Sequence, residues 1–282
     1  MCDSYVCRTS PLSDSKRTRQ EQSSSFVSAT FSPLPPAHSA MKSITLLDKK
    51  PITETLYSLT FSRPEGWDWR AGQFARLGLD LGGKEAVFRA YSLSSAPHDK
   101  VLSFLIKCVE GGTLSPKLCA LPKGSDVLLD GEAQGNLLPE RIPGGDTLWF
   151  FATGAGLAPF LALLKSPEDI APWSRIELVL SARTLSEAEG LKAEALATAH
   201  PRLKVTAATT REPSALVGRI PALIESGTLE ALTAEPLNAE RSRVLLCGNP
   251  DFIRDMRALL KTRGLVSPRF GKPGQLLVES LW

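Results

Sequence analysis

The sequence predicts two domains of different class, a small antiparallel β-barrel followed by an α/β domain built on a parallel sheet. Three observations predict it. From Met41 to about Pro143, short apolar strands are separated by turns rich in Gly and Pro. After Gly144 the pattern changes to apolar strands alternating with helices, the signature of βαβ units. A length of 282 residues, with 43% apolar and 22% charged side chains, suits two ordinary globular domains.

Residues 1–40 hold ten serines and four prolines without helical or strand periodicity, and the composition changes abruptly at "MKSITLLDKK". This stretch reads as a disordered arm, dispensable or a mis-assigned start, ahead of a folded chain that begins near Met41. It lacks the apolar core of a secretion signal, and Asp3, Asp14 and Glu21 argue against a transit peptide. The barrel strands are expected at "ITLLDKK", "TLYSLTFSR", "GQFARLGLDL", "VFRAYSL", "VLSFLIKCVE" and "DVLLDG". The parallel strands are expected at "TLWFFAT", "RIELVLSA", "LKVTAATT" and "RVLLCG", with helices at "PFLALLKS", "EAEGLKAEALATAH" and "PDFIRDMRALLKTRG". The domain boundary falls near Pro143, giving 41–143 and 144–282.

A net charge of +3 points neither to nucleic acid nor to an anionic membrane. The five cysteines form no CxxC pair and no Cys/His cluster, so no metal site or resident iron–sulfur cluster is expected, and their odd count fits a reducing compartment. No apolar run approaches the length of about 18 to 20 that spans a bilayer.

Several motifs carry chemistry. In "FRAYSLSS" strand alternation sends Arg89 and Tyr91 to one face and Ala90 and Ser92 to the other. That pair reads either as an ordinary cross-strand cation and aromatic or as a phosphate ligand beside a ring-stacking side chain. In "GGTLSPKLCAL", Ser115 before Pro116 predicts a capped helix start, and the preceding glycines would let a diphosphate approach backbone N–H groups. "LWFFATGAGLAPFLALL" runs from apolar strand through Thr153, Gly154, Ala155 and Gly156 into a helix opened at Pro159, the context of a dinucleotide-binding turn. No acidic residue ends the second parallel strand. Arg183, Arg211 and Arg219 instead follow strand ends, where a 2′-phosphate would sit, or else are exposed loop arginines. In "VLLCGNPDFIRDMRALLKTRG", Cys247 and Gly248 end a strand, Asn249 caps a helix with Pro250 in its first turn, and Gly264 closes it. Cys247 is either structural or at a ligand site, because ligands gather at the carboxyl ends of parallel strands.

In this order the motifs resemble the ferredoxin–NADP reductases, most closely the bacterial ferredoxin/flavodoxin–NADP reductases, from about Met41 to Trp282. "RAYSLSS" is similar to the family's flavin motif, "GGTLS" to its diphosphate motif, "TGAGLAP" to its NADP turn and "CGNP" to its nicotinamide-side turn. The resemblance implies an FAD enzyme that exchanges a hydride with NADPH and single electrons with ferredoxin or flavodoxin. It implies that Arg89, Ala90, Tyr91 and Ser92 contact FAD, that Gly112, Thr113, Leu114 and Ser115 hold its diphosphate, and that Thr153 lies between flavin and nicotinamide. NADP would meet Thr153, Gly154, Gly156, Arg183, Thr184, Arg211, Arg219, Cys247, Gly248 and Asp251. Ser92, Cys247 and Glu279 would line the pocket of hydride transfer. Either Leu281 covers the flavin while Trp282 stacks on the adenine, or Trp282 covers the flavin itself. "SART" is followed by "LSEAEGLKAEA" without the aromatic that bacterial relatives often carry there. The expected protein is a cytoplasmic monomer with no nucleic-acid or membrane partner. A reductase of the same architecture serving an oxygenase shares these features. A flavin-less interaction module would not need Arg89, Tyr91, Ser92 and Ser115.

Overall fold

The structure, a computed structural model, describes residues 41–83 and 85–280, so the arm, Leu281 and Trp282 lie outside the described residues. The first sheet holds β1 (Lys42–Pro51), β2 (Leu56–Ser62), β3 (Phe74–Leu79), β4 (Val87–Ser92), β5 (Val101–Lys107) and β6 (Asp126–Gln134), in the order β4-β3-β6-β1-β2-β5. Every pairing in it is antiparallel. A bridge between Leu93 and Phe104, with Ser94 N–H donating to Ser103 O at 2.7 Å, brings the two edge strands together as a barrel. Inward residues at every second position, such as Leu102, Phe104 and Ile106, fill its core, where Phe61 and Phe104 meet edge to face.

A short helix, α1 (Ser115–Ala120), separates β5 from β6. Ser115 does not cap it as the sequence suggests: Leu114 occupies the cap position, and the Ser115 hydroxyl accepts the Val109 N–H at 3.2 Å. The oxygen of the hydroxyl accepts across the preceding turn instead of capping the helix.

The second sheet is parallel and five-stranded: β7 (Thr147–Thr153), β8 (Arg175–Ala182), β9 (Leu203–Thr209), β10 (Ser242–Gly248) and β11 (Leu276–Ser280), ordered β11-β10-β7-β8-β9. Its helices are α2 (Ala158–Leu164), α3 (Leu185–Leu196), α4 (Ile220–Glu225), α5 (Thr228–Thr233) and α6 (Pro250–Thr262). The central strand β7 is buried from Thr147 to Ala152, and alternate residues feed two cores. Phe150 stacks on Phe160 of α2 at 4.6 Å on one side, and Trp149 stacks on Phe151 at 5.6 Å on the other. Three elements are additional to those expected: α4, α5 and β11. The last is an edge strand of five residues at the end of the chain, too short for its alternation to stand out.

Candidate active site

The chain leaves β7 to build β8 and β9 on one side, then returns to place β10 on the other. The reversal opens a crevice beyond the carboxyl ends of β7 and β10, where parallel sheets bind ligands. Thr153 ends β7 there and Gly248 ends β10. The two glycines of the "GAG" turn have different reasons to be glycine. Gly154 has φ +54° with nothing within 4 Å of an added Cβ, whereas a Cβ on Gly156 would lie 2.2 Å from the Cys247 carbonyl oxygen. One supplies a left-handed turn and the other a close approach of turn to strand. A Cβ on Gly248 would likewise lie 2.3 Å from Thr153 Oγ1. Thr153 Oγ1 accepts the Asn249 N–H at 3.2 Å, and Asn249 caps α6 by accepting the Phe252 N–H at 2.9 Å. Asp251, in the first turn of α6, pairs with Arg254 at 2.6 Å.

Register places the next group. β11 runs beside β10 with Glu279 opposite Cys247, and the barrel presents Ser92 from the end of β4. Ser92 Oγ donates to Glu279 Oε1 at 2.5 Å, and Cys247 Sγ donates to the same oxygen at 3.8 Å. Burial pushes the Glu279 carboxyl above its ordinary value, while the donations from Ser92 and Cys247 pull it back in part. Burial, followed by the neighbouring carboxylate, holds the Cys247 thiol well above its usual range. Cys247 is therefore a neutral donor and packing group, not a thiolate nucleophile.

On the barrel side, β4 pairs with β3 without a bulge, so Arg89 and Tyr91 share the face of Leu77 and Ala75, and Ala90 and Ser92 share that of Arg76 and Phe74. The nearby guanidiniums of Arg63, Arg70 and Arg76 pair with Asp68, Glu140 and Asp130. Arg89 has no carboxylate partner among the described residues and donates only to the Phe88 carbonyl, at 2.7 Å. Tyr91 packs half-buried against the barrel core, and burial raises its phenol pKa. In the following loop Gly111 has φ +69°, and a Cβ on Gly112 would lie 2.9 Å from Val109 O. Leu114 is buried, and Ser115, accepting from Val109, keeps its own O–H proton to donate. An unpaired guanidinium, a glycine turn with a free hydroxyl donor and a half-buried aromatic make a donor set for a diphosphate joined to a flat ring.

Arg183 and Arg211 are brought together, because the Arg211 N–H donates to the Arg183 carbonyl at 3.0 Å. Thr184 caps α3 by accepting the Glu187 N–H at 3.2 Å. Lys107, at the end of β5, feels the charge of both arginines: burial first, then Arg183 and Arg211, lower its pKa, against the opposing pull of Glu187. The sequence does not single out Lys107, since nothing in the pattern of a barrel strand says that its last residue comes within electrostatic reach of Arg183 and Arg211. Arg219 is placed differently. It caps α4, just past the Thr209–Val217 bridge, and lines a groove against Asp255 and Leu259 of α6.

Residues 43–137 match the family described as oxidoreductase FAD-binding domain. The chain is 39% identical over 235 residues to the flavodoxin/ferredoxin–NADP reductase of Escherichia coli strain K12, covering 82% of this chain and 94% of that one. It is 36% identical over 245 residues to ferredoxin–NADP reductase A of Sorangium cellulosum, covering 83% of this chain and 88% of the relative. Its fold is similar to a crystal structure of a ferredoxin NADP+ reductase from Neisseria gonorrhoeae with bound FAD and NADP. That match has a TM-score of 0.80 and 33% identity, over 86% of this chain and 99% of that one.

Proposed function

The chain belongs to the flavodoxin/ferredoxin–NADP reductases, and from that premise we propose how its own residues divide the work of an FAD-dependent oxidoreductase. The enzyme exchanges a hydride between NADPH and FAD and single electrons between FAD and ferredoxin or flavodoxin. FAD, when bound, supplies a group that takes a hydride in one step and releases two electrons singly, which no side chain can do. In our reading Arg89 and the loop from Gly112 to Ser115 hold its diphosphate, Tyr91 packs on its ring, and Ser92 reaches the reacting edge. The unpaired guanidinium and the glycine turn support this assignment.

For the coenzyme, Thr153, Gly154, Gly156, Cys247 and Gly248 shape the crevice, with Asp251 and Thr184 at the mouths of α6 and α3. Arg183 and Arg211, with Lys107 in electrostatic reach, take the 2′-phosphate, and Arg219, set apart at the start of α4, meets NADP from that side. Glu279, raised by burial and held through Oε1 by Ser92 and Cys247, stores or relays a proton on its other carboxyl oxygen. Two domains, 41–143 for FAD and 144–282 for NADP, and a monomeric cytoplasmic enzyme complete the proposal. Leu281 and Trp282, just beyond β11, remain assigned to cover the FAD rings, one arrangement or the other. Among the described residues no helix is long and apolar enough to cross a membrane.

The observation that carries the reading is the Ser92–Glu279 hydrogen bond, which ties the end of the barrel strand to the strand edge beside the crevice. Stopped-flow mixing with NADPH and with NADH, followed by ferredoxin or flavodoxin, tests it. The reading requires faster flavin reduction by NADPH and onward one-electron transfer; equal use of both coenzymes, or no transfer to either carrier, sinks it.

A further inference from the structure

Two thiols that take no part in the mechanism above share one barrel cluster beside the loop of Gly111 to Ser115. Cys108 sits just past β5, its N–H donating to Thr55 O at 2.7 Å. Cys119 is in α1, 7% exposed, with its Sγ 3.9 Å from the carbonyl of Ile106, two residues before Cys108. The partly buried Cys108 side chain packs against the barrel cluster to which Cys119 belongs. Both pack in the same barrel cluster as Tyr91, and Cys119 is close enough for its charge to raise the Tyr91 phenol. Cys108 is partly exposed while Cys119 is buried. Burial first, then Cys108, pushes the Cys119 thiol up to about 12.

We propose that Cys108 and Cys119 form a reversible dithiol–disulfide pair whose oxidation ties together the two ends of the loop from Val109 to Leu118. The difference in exposure sets the order of events. The Cys108 thiol gives up its proton and its sulfur attacks a low-molecular-weight disulfide. The reagent's S–S bond breaks, a mixed disulfide forms on Cys108, and the departing thiolate takes up a proton. Cys119, in the same cluster, then loses its proton and attacks Cys108 Sγ, and the second small thiol leaves with that proton. Two protein thiols have lost two electrons in total and one small disulfide has become two thiols, so nothing else is needed.

The covalent tie restrains Gly111, the left-handed hinge of the loop, and the packing beneath Tyr91, so oxidation slows FAD release. That consequence rests on the reading of Gly112 to Ser115 as the diphosphate loop; formation of the disulfide does not. The FAD-loaded full chain is equilibrated with glutathione at rising oxidised-to-reduced ratios, quenched in acid, alkylated and mapped by mass spectrometry, while FAD release is followed by fluorescence after dilution. The expected result is a cross-linked peptide pair joining Cys108 to Cys119, with flavin release slowed several-fold and restored by dithiothreitol. Cys119→Ser stops at a glutathione adduct on Cys108, and Cys108→Ser leaves Cys119 unmodified. Both thiols fully alkylated at the most oxidising ratio, or an adduct on Cys108 that never resolves in the unmutated chain, overturns the pair. A cross-link with unchanged flavin release overturns its hold on FAD. If Ser115→Ala also leaves flavin release unchanged, the fault lies with the loop reading instead.

Discussion

Gly154 and Gly156 stand two residues apart in one turn, yet alanine at each should do different damage. At Gly156 the added methyl would meet the Cys247 carbonyl oxygen at 2.2 Å, and that oxygen is backbone in a central strand. An ordinary contact of this kind is about 3.5 Å, so turn and strand have to part by about 1 Å. Overpacking of this order costs roughly 1–3 kcal/mol, with the upper part of the range expected where no side chain can rotate away. A displacement of about 1 Å at the reacting centre also costs on the order of a hundredfold in rate. At Gly154 nothing lies within 4 Å and only φ +54° penalises a side chain, a cost of roughly 1–2 kcal/mol without displacement of Cys247. Urea denaturation of both variants and NADPH-driven flavin reduction measure the two effects. Gly156→Ala should lose stability and most of its reduction rate, and Gly154→Ala stability with a far smaller loss of rate. Equal rate losses in the two variants would refute the assignment of the close approach to Gly156.

Three further outcomes follow from the site. Ser92→Ala removes a hydrogen bond of 2.5 Å to a partly buried carboxylate, worth about 1.5–3 kcal/mol. Because that bond holds the Glu279 pKa down, the pH midpoint of the flavin-reduction rate should move upward; an unmoved midpoint removes Glu279 from the step. Arg211→Ala leaves no carboxylate orphaned and exposes the 2′-phosphate role alone, so NADPH affinity should fall roughly tenfold or more with NADH little changed, and equal losses would reassign the cluster. Burial raises the folded-state pKa of Glu279 above its ordinary 4.5, so its contribution to stability is complete below that value and is lost as pH climbs through the raised one. Glu279→Gln cannot ionise, so its denaturation midpoints should gain on those of the unmutated chain across that climb. Curves that stay parallel would mean the carboxyl is not perturbed.

The barrel and the parallel sheet were legible because their signals are local. Strands such as "VLSFLIK" bury alternate residues, and "TLWFFAT" is apolar from Leu148 to Ala152 because it is covered on both faces. The glycine turn and the Asn249 cap were legible for the same reason: each needs only its neighbours in the chain. What the local pattern alone does not show depends on distant pairing. Ser92 and Glu279 are 187 positions apart, so only the family resemblance grouped them with Cys247, and the register of β11 on β10 sets Glu279 opposite Cys247. Lys107 lies within the electrostatic reach of Arg183 and Arg211, a long-range proximity that no periodicity encodes. Ser115 misled in the other direction. Its Ser-Pro signal for a capped helix is sound chemistry, but the hydroxyl was claimed by the turn that the helix grows from.

The most direct test of the account is an anaerobic titration of the purified full chain with NADPH, watching flavin absorbance. The account predicts a yellow protein carrying FAD, with a band near about 450 nm that bleaches on NADPH and returns when oxidised ferredoxin or flavodoxin is added. A colourless protein that takes up no FAD, or a flavin band indifferent to NADPH, would contradict it.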